Sequence, residues 1–395
     1  MLHLVFLNLA CLHPVHDLPQ DAYVWQRRWT PAVTDAVTAH GPSFARLGVL
    51  ALERTWSPTL DTELHPDAAA LAHQEIVAVL RLAAWSGDFE ADQGLPELAL
   101  RTVSRLRQEG LRVAELQLDF DAASSQLGGY ARWVRGIRQA IDVPLTITGL
   151  PDWLRQPELP ALLAETDGWT LQIHDFTAPE SPDRLEPLLD PGAARAAIRS
   201  ATRLGHPFRI ALPTYGYTAA FTPEGRFLGA TAEREQPWAN AVITREISAD
   251  PTQIAALVAD LNRDRPPNLI GLSWFRLPTE ADDHAWRWST LLAVRAGQPP
   301  APDLRAEAEP DPSGLLVELR LHNDGDADAP LPPLDVSSPA ALLAADTYGA
   351  YAIAARASGL RLTPREGATL RAGASQPVGW LRLRTPHEVS IHVQD

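Results

Sequence analysis

From Ala22 onward the chain alternates between two kinds of apolar pattern. Short runs are either continuously apolar or change polarity every second residue, as strands do, while longer runs repeat their apolar positions every three to four residues, as helices do. The strand pattern occurs at AYVWQ (22–26), RLGVLALE (46–53), IVAVLRLAAW (76–85) and VAELQLDFD (113–121). It returns at PLTITGL (144–150), GWTLQIHDF (168–176), FRIALPTYGY (208–217) and NLIGLSWFRL (268–277). The helix pattern occupies LPELALRTVSRLRQEG (95–110), GGYARWVRGIRQAI (128–141), PTQIAALVADLNRD (251–264) and DDHAWRWSTLLAVRAG (282–297), the last closing on Gly297 as a C′ residue. Eight strands alternating with helices over about 275 residues predict an α/β fold, a (β/α)8 TIM barrel spanning residues 20–297. A doubly wound open sheet is the alternative, but its Gly-x-Gly-x-x-Gly is missing after the first strand.

Two stretches interrupt this rhythm. Thr218 to Asp250 separates the seventh strand from its helix, and GRFLGATAERE within it reads as a hairpin. After Gly297 the sequence QPPAPDLRAEAEPDPSG is rich in proline, and residues 298–302 read as a linker. Short strands follow at LLVELRLHN, ATLRA, VGWLRLRT and EVSIHVQ, with Asn323-Asp324-Gly325 as a hairpin-type turn after the first. Residues 303–395 are therefore expected to form a small all-β, Ig-like sandwich, serving as a structural or carbohydrate-binding accessory domain.

Composition narrows the function. All 34 basic residues are arginine, so Schiff-base, pyridoxal phosphate and P-loop lysine chemistry are excluded. A net charge of −15 argues against nucleic acid and anionic lipid, leaving a neutral substrate as the best fit. No later apolar run reaches the ~20 residues needed to span a bilayer. The single cysteine, Cys11, excludes an intramolecular disulfide and a Cys-rich metal site. It ends the apolar run of an N-terminal segment, residues 1–19, that has two readings. One is the tail of a secretory or lipoprotein signal, with Cys11 lipidated and the protein exported to the periplasm, a lipid anchor or the exterior. The other is a plain apolar segment packed on the barrel of a cytoplasmic chain, since no Lys or Arg precedes the run. His13-x-x-His16-Asp17 lacks the surrounding helix of a zinc motif, so no metal and no cofactor are expected, and the chain is expected to be a monomer.

In such a barrel catalytic groups project from the C-terminal strand ends, and strand side chains alternate between interior and helices. In residues 113–121 Leu116, Leu118 and Phe120 share one phase and must face the helices. Glu115, Gln117, Asp119 and Asp121 then point inward, which sets two carboxylates two residues apart at the top of the fourth strand. The other strand ends carry Trp25, Glu53, Arg81, Trp85, Gln172, His174, Asp175, Tyr215, Tyr217, Trp274 and Arg276. Carboxylates for proton transfer (Asp121, Asp119, Glu53, Asp175) beside aromatic and polar groups for binding suit glycoside hydrolysis. Asp119 and Arg81 also fit a buried structural ion pair. No Gly-x-Ser-x-Gly elbow is present.

These strands resemble family 18 glycoside hydrolases, the chitinase-like barrels. The family's fourth-strand Asp-x-x-Asp-x-Asp-x-Glu falls on Ala114, Gln117, Asp119 and Asp121, and its third-strand Ser-x-Gly-Gly-Trp on residues 81–85, ending at Trp85. The sixth-strand Tyr-Asp resembles His174-Asp175, Pro213-Thr214-Tyr215-Gly216 matches the seventh-strand Pro-x-Tyr-Gly, and Trp274 resembles the eighth-strand Trp. The motifs VWQRRWTP, LQLDFD and LPTYGY resemble still more a bacterial family of glycosidase-like barrels known as a domain of unknown function. The resemblance implies a glycoside hydrolase acting on a polysaccharide or oligosaccharide. Asp121 stands where the family has its general-acid Glu, and Ala114 and Gln117 stand where it has two supporting aspartates. The alternative is a non-catalytic, glycan-binding barrel.

Overall fold

The computed structural model describes residues 18–56, 58–91, 93–232, 243–357 and 359–394. Cys11 and the His13-x-x-His16-Asp17 fragment lie outside them, as does the end of the GRFLGATAERE hairpin, residues 233–235. Eight strands form a closed parallel barrel: β1 Gln20–Val24, β2 Leu47–Trp56, β3 Glu75–Leu82, β4 Arg112–Phe120, β5 Leu145–Gly149, β6 Gly168–Gln172, β7 Phe208–Pro213 and β8 Leu269–Phe275. Each pairs in parallel with the next, and β8 closes on β1 through Gln20↔Leu272. Leu116, Leu118 and Phe120 face outward, where Phe120 packs on Tyr130 and Trp133 of the helix Leu127–Ala140 at ring distances of 5.0 and 5.8 Å. Asp190 and Asp250 cap the helices Pro191–Arg203 and Pro251–Arg263, each with proline at the first helical position.

The strict alternation breaks after β2. There the strand Thr59–Glu63 folds back antiparallel on β2 in place of a helix, since TLDTE alternates and offers no three-to-four-residue apolar face. The helix expected from residue 282 begins only at Trp288, because the Asp282 carboxylate accepts from the amides of His284 and Ala285 and holds them in a turn. The long connection after β7 is a three-stranded antiparallel sheet, Gly216–Phe221 flanked by Phe227–Thr231 and Ile243–Ser248.

Beyond the barrel the chain forms two four-stranded antiparallel sheets. One contains Leu304–Pro310, Leu316–Asn323, Leu342–Thr347 and Ser375–Leu383; the other contains Leu334–Ser337, Tyr351–Arg356, Gly359–Pro364 and Ser390–Val393. Alternate residues Val317, Leu319 and Leu321 meet Leu334, Leu362 and Leu381 in one apolar core. Asn323-Asp324-Gly325 does not make a hairpin. The buried Asn323 amide is taken up by the backbone of Asp303, Ala327 and Leu370, and the next strand, Ala329–Pro330, pairs with Thr369–Leu370. Among the described residues no helix is long and apolar enough to cross a membrane.

The barrel interior is polar along the inward phase of β4, and each level supplies partners. At the bottom Glu115 accepts from Arg46 and from the Thr146 hydroxyl, both at 2.6 Å. Arg46 also reaches Asp21 at 2.8 Å, and Arg209 meets Asp21 at 3.0 Å. One level up, Gln117 accepts the Tyr23 hydroxyl at 2.6 Å and donates to Thr170 at 3.1 Å. Gly48 leaves room for that tyrosine, since a Cβ there would lie 2.6 Å from its ring. The third level is the candidate site. Replacing Arg46 leaves Asp21 to Arg209 but takes the ion-pair partner from the buried Glu115, which keeps the Thr146 hydroxyl, so Arg46→Met is expected to lower the free energy of unfolding by about 3 kcal/mol. Denaturant titration measures it, and a loss below about 1 kcal/mol would contradict this account of the interior.

Candidate active site

The top level opens into a cavity of about 190 Å³ at the C-terminal ends of the strands. Arg81 on β3 and Asp119 on β4 are register partners and form an ion pair at 3.0 Å. The same carboxylate accepts from Thr148 on β5 at 2.9 Å and from Gln172 on β6 at 3.4 Å. Burial pushes the Asp119 carboxyl up to about 6 despite the opposing Arg81 and Thr148, with Asp121 and Glu53 adding to the rise. Asp121, one residue beyond β4, opens onto the cavity. The walls that screen it from water raise its pKa, Arg81 opposes, and Asp175 pushes it further up. Asp175 also lines the cavity, with one carboxylate oxygen accepting from the Phe176 amide at 2.7 Å.

Aromatic groups form the remaining wall. The Trp25 ring lies 5.5 Å from the Arg81 guanidinium and edge-on to Phe275 at 5.0 Å. His174 stacks on Phe275, and its Nδ1 lies 3.3 Å from the Tyr215 hydroxyl, which in turn lies 3.5 Å from that of Tyr217. Burial drops the His174 pKa to about 4, leaving a neutral ring at pH 7 whose sealed Nε2 has no partner among the described residues. Tyr215 is held well above the usual tyrosine range, by burial first and then by Tyr217.

Four residues expected at the site lie off this lining. Glu53 sits beside Arg81 in register but is clamped by Arg27 at 2.5 and 2.9 Å. Trp85 packs on Trp56 and Trp133 at 4.8 and 5.9 Å, and its indole nitrogen donates to the Asp88 carbonyl. Trp274 is fully buried on the outer side of β8, where its Nε1 donates to Gln20 at 2.9 Å and its ring approaches Trp286. The alternation of β8 turns Ser273 and Phe275 inward, so the match to an eighth-strand tryptophan is out of phase by one residue. Arg276 is buried against Asp282 at 2.5 Å. Tyr23, Thr148, Phe176 and Phe275 were missed. The alternation that located Asp119 also turns Thr146 and Thr148 inward on β5 and would have found Thr148.

A second cavity, of about 660 Å³, adjoins the first and shares Asp121, Gln172, His174 and Asp175 with it. It adds Asp152, Glu186 and Asp190 and, among the described residues, has no arginine on its wall. Among the described residues, the one set of three His and acid groups close enough to share a metal ion is Glu307, Glu309 and His322, in the β-domain. Glu307 and Glu309 are there engaged by Arg305 and Arg320.

Residues 73–280, more than half of the chain, match the model of a domain of unknown function, DUF3142. The chain belongs to the DUF3142 family. Residues 306–384 match a second domain of unknown function, DUF8456. No curated protein matches. Among solved structures, similar ones include a chitinase from Chromobacterium violaceum, at 14% identity over 71% of this chain and 98% of that chain with a TM-score of 0.50. The spore cortex-lytic enzyme SleL of Bacillus cereus is also 14% identical, over 71% of this chain and 74% of that one, with a TM-score of 0.51. The C-terminal domain of a putative chitinase from Desulfitobacterium hafniense is 10% identical over 71% and 99%, with a TM-score of 0.52. This DUF3142 chain thus shares its barrel fold with solved chitinases at low sequence identity.

In this family member the two top carboxylates differ in freedom. Asp119 is fixed by three donors, while Asp121 faces the cavity. His174 yields a pH test. The unfolded chain takes up a proton at the ordinary histidine value of 6.5 and the folded chain only near 4, so this contribution to stability is full above about 6.5 and is lost as pH falls toward 4. NMR titration is expected to find the His174 ring neutral down to about pH 5 in the folded protein. A midpoint near 6.5 would mean that the ring is hydrated.

Proposed function

We propose that this protein hydrolyses a glycan in the cavity above β3 to β8. The observation that carries this reading is the fixed Asp119 beside an Asp121 that opens onto the cavity, facing Trp25, Tyr215 and Tyr217. Asp121 is the general acid: protonated, it gives its proton to the departing glycosidic oxygen as the bond to the anomeric carbon breaks. Asp119 stabilises the positive charge that develops on the sugar, while burial and the Asp175 carboxylate raise the proton affinity of Asp121. Asp175 is the second carboxylate, because it lines the cavity while Glu53 is committed to Arg27. It takes a proton from water as the water oxygen bonds to the anomeric carbon. His174 and the two tyrosines orient sugar hydroxyls, and Trp25 offers a ring face.

The charge around the site bears on the substrate class. Carboxylates crowd both adjoining cavities and Arg81 is the cation on their walls, which favours a neutral or amine-bearing sugar over a uronic or sulfated one. Chitin oligosaccharides head the test panel, since the fold is shared with chitinases.

Asp121→Asn is expected to cut turnover by at least about 100-fold, the scale of a lost general acid, with folding and glycan binding nearly unchanged. Asp119→Asn is expected to lower turnover and affinity together. Unchanged turnover in Asp121→Asn would move the acid role elsewhere. A parent that binds glycans but cleaves none would favour a binding barrel, a reading that the Gln117 at a family aspartate position supports, since its amide is taken up by Tyr23 and Thr170.

The rate should also depend on pH. Hydrolysis is expected to fall as pH rises, because Asp121, held above the usual carboxylate range by burial and by Asp175, loses the proton it has to deliver. A pH–rate profile flat from 5 to 8 would exclude Asp121 as the proton source.

A further inference from the structure

The central cavity is small, about 190 Å³, below the roughly 300–1,000 Å³ of ordinary ligand pockets. A polymeric glycan therefore has to continue outside it. On one side lies the acid-lined cavity that shares Asp121 and Asp175. Tyr217, on the wall of the central cavity, also lines a third cavity of about 390 Å³. That third cavity is built by two domains. The inserted sheet contributes Tyr217 and Glu246, the start of the helix Pro251–Arg263 contributes Thr252, and the segment before the last barrel helix contributes Trp286. The β-domain closes it with Asp328 and Arg371.

The two domains are tied together at this rim. The Thr290 hydroxyl donates to the Asp326 carbonyl at 2.6 Å, and Arg371 donates to the Asp283 carbonyl at 2.5 Å. Unlike the acid-lined cavity, this one presents both signs of charge, with acids at Glu246, Asp283 and Asp328 and arginines at 287 and 371. The arginines are engaged by Glu280 and Asp283. Aromatic surface from Tyr217 and Trp286 beside hydroxyl and carboxylate acceptors, without a net excess of cation, suits a neutral polyhydroxylated ligand.

We propose that the β-domain is part of the glycan site: the cavity between it and the barrel holds the sugar units of a polymer that lie beyond Tyr217. This rests on the glycan reading of the central cavity and adds to it the direction of the chain and a role for the second domain. Tyr217 borders both cavities, with its hydroxyl beside that of Tyr215 and its ring packed on Phe176 at 4.7 Å in the central one.

The test uses the full chain and measures binding of disaccharides and hexasaccharides of N-acetylglucosamine, glucosamine and glucose by calorimetry. The parent is expected to bind the preferred hexasaccharide about tenfold tighter than the disaccharide. Thr252→Trp fills the inter-domain cavity from an exposed helix position and is expected to abolish most of that gain while leaving the disaccharide affinity unchanged. Glu246→Trp blocks the same cavity from the inserted sheet and is expected to act alike, which covers a failure of the first variant to fold. A length gain that survives in both folded variants, or a parent without one, overturns the proposal and leaves the glycan reading intact. Absence of binding by every oligosaccharide overturns the glycan reading and this proposal with it.

Discussion

A charge buried inside a barrel must be matched where it stands, and β4 carries two carboxylates with an amide between them along its inward face. Glu115, Gln117 and Asp119 sit one above another, and no one of them can turn to solvent without breaking the strand's alternation. The rest of the barrel interior is arranged around this column. Arg46 and Arg209 arrive at the bottom, Tyr23 and Thr170 in the middle, and Arg81, Thr148 and Gln172 at the top. The lower two levels are satisfied and closed. The uppermost is satisfied but open, and that difference makes it a site.

Within that opening the division between Asp119 and Asp121 follows from geometry. Asp119 spends its oxygens on three donors, so it can hold charge but not move. Asp121, past the last ladder bond of β4, has no such commitments and can deliver a proton. Arg81 serves both, as ion-pair partner to the first and as a brake on the proton affinity of the second. Arg27 has a related role at one remove: by engaging Glu53 it leaves Arg81, the register neighbour of Glu53, to Asp119.

The outer elements add extent to this centre. The helix Pro191–Arg203 and its preceding loop carry an acid-lined extension, and the inserted sheet after β7 reaches toward the β-domain. The insertion thus has two faces, one completing the central wall with Tyr217 and one bordering the second domain.

Much of this was legible in the residues. The alternating runs of apolar residues located all eight barrel strands to within a few positions, because a strand buried on both faces has few other ways to be written. The phase of LQLDFD alone determined that Asp119 points inward and Phe120 outward, since a period of two leaves no third choice. The same rule, applied to a family match instead of to LSWF, misplaced Trp274; Ser273 and Phe275 carried the inward phase. Trp85 and Glu53 were beyond the reach of pattern. Whether a tryptophan just past a strand end faces the cavity or folds back onto Trp133 depends on a helix distant in sequence. Whether Glu53 is free depends on Arg27 in another loop. The sequence by itself determined the barrel, its polar inward column and the chemistry available at its mouth, because those follow from local period and residue type. Only the tertiary structure decided which carboxylates stand free, which aromatics line the cavity and which neighbours border it, because those depend on contacts between strand ends and loops that no local period encodes.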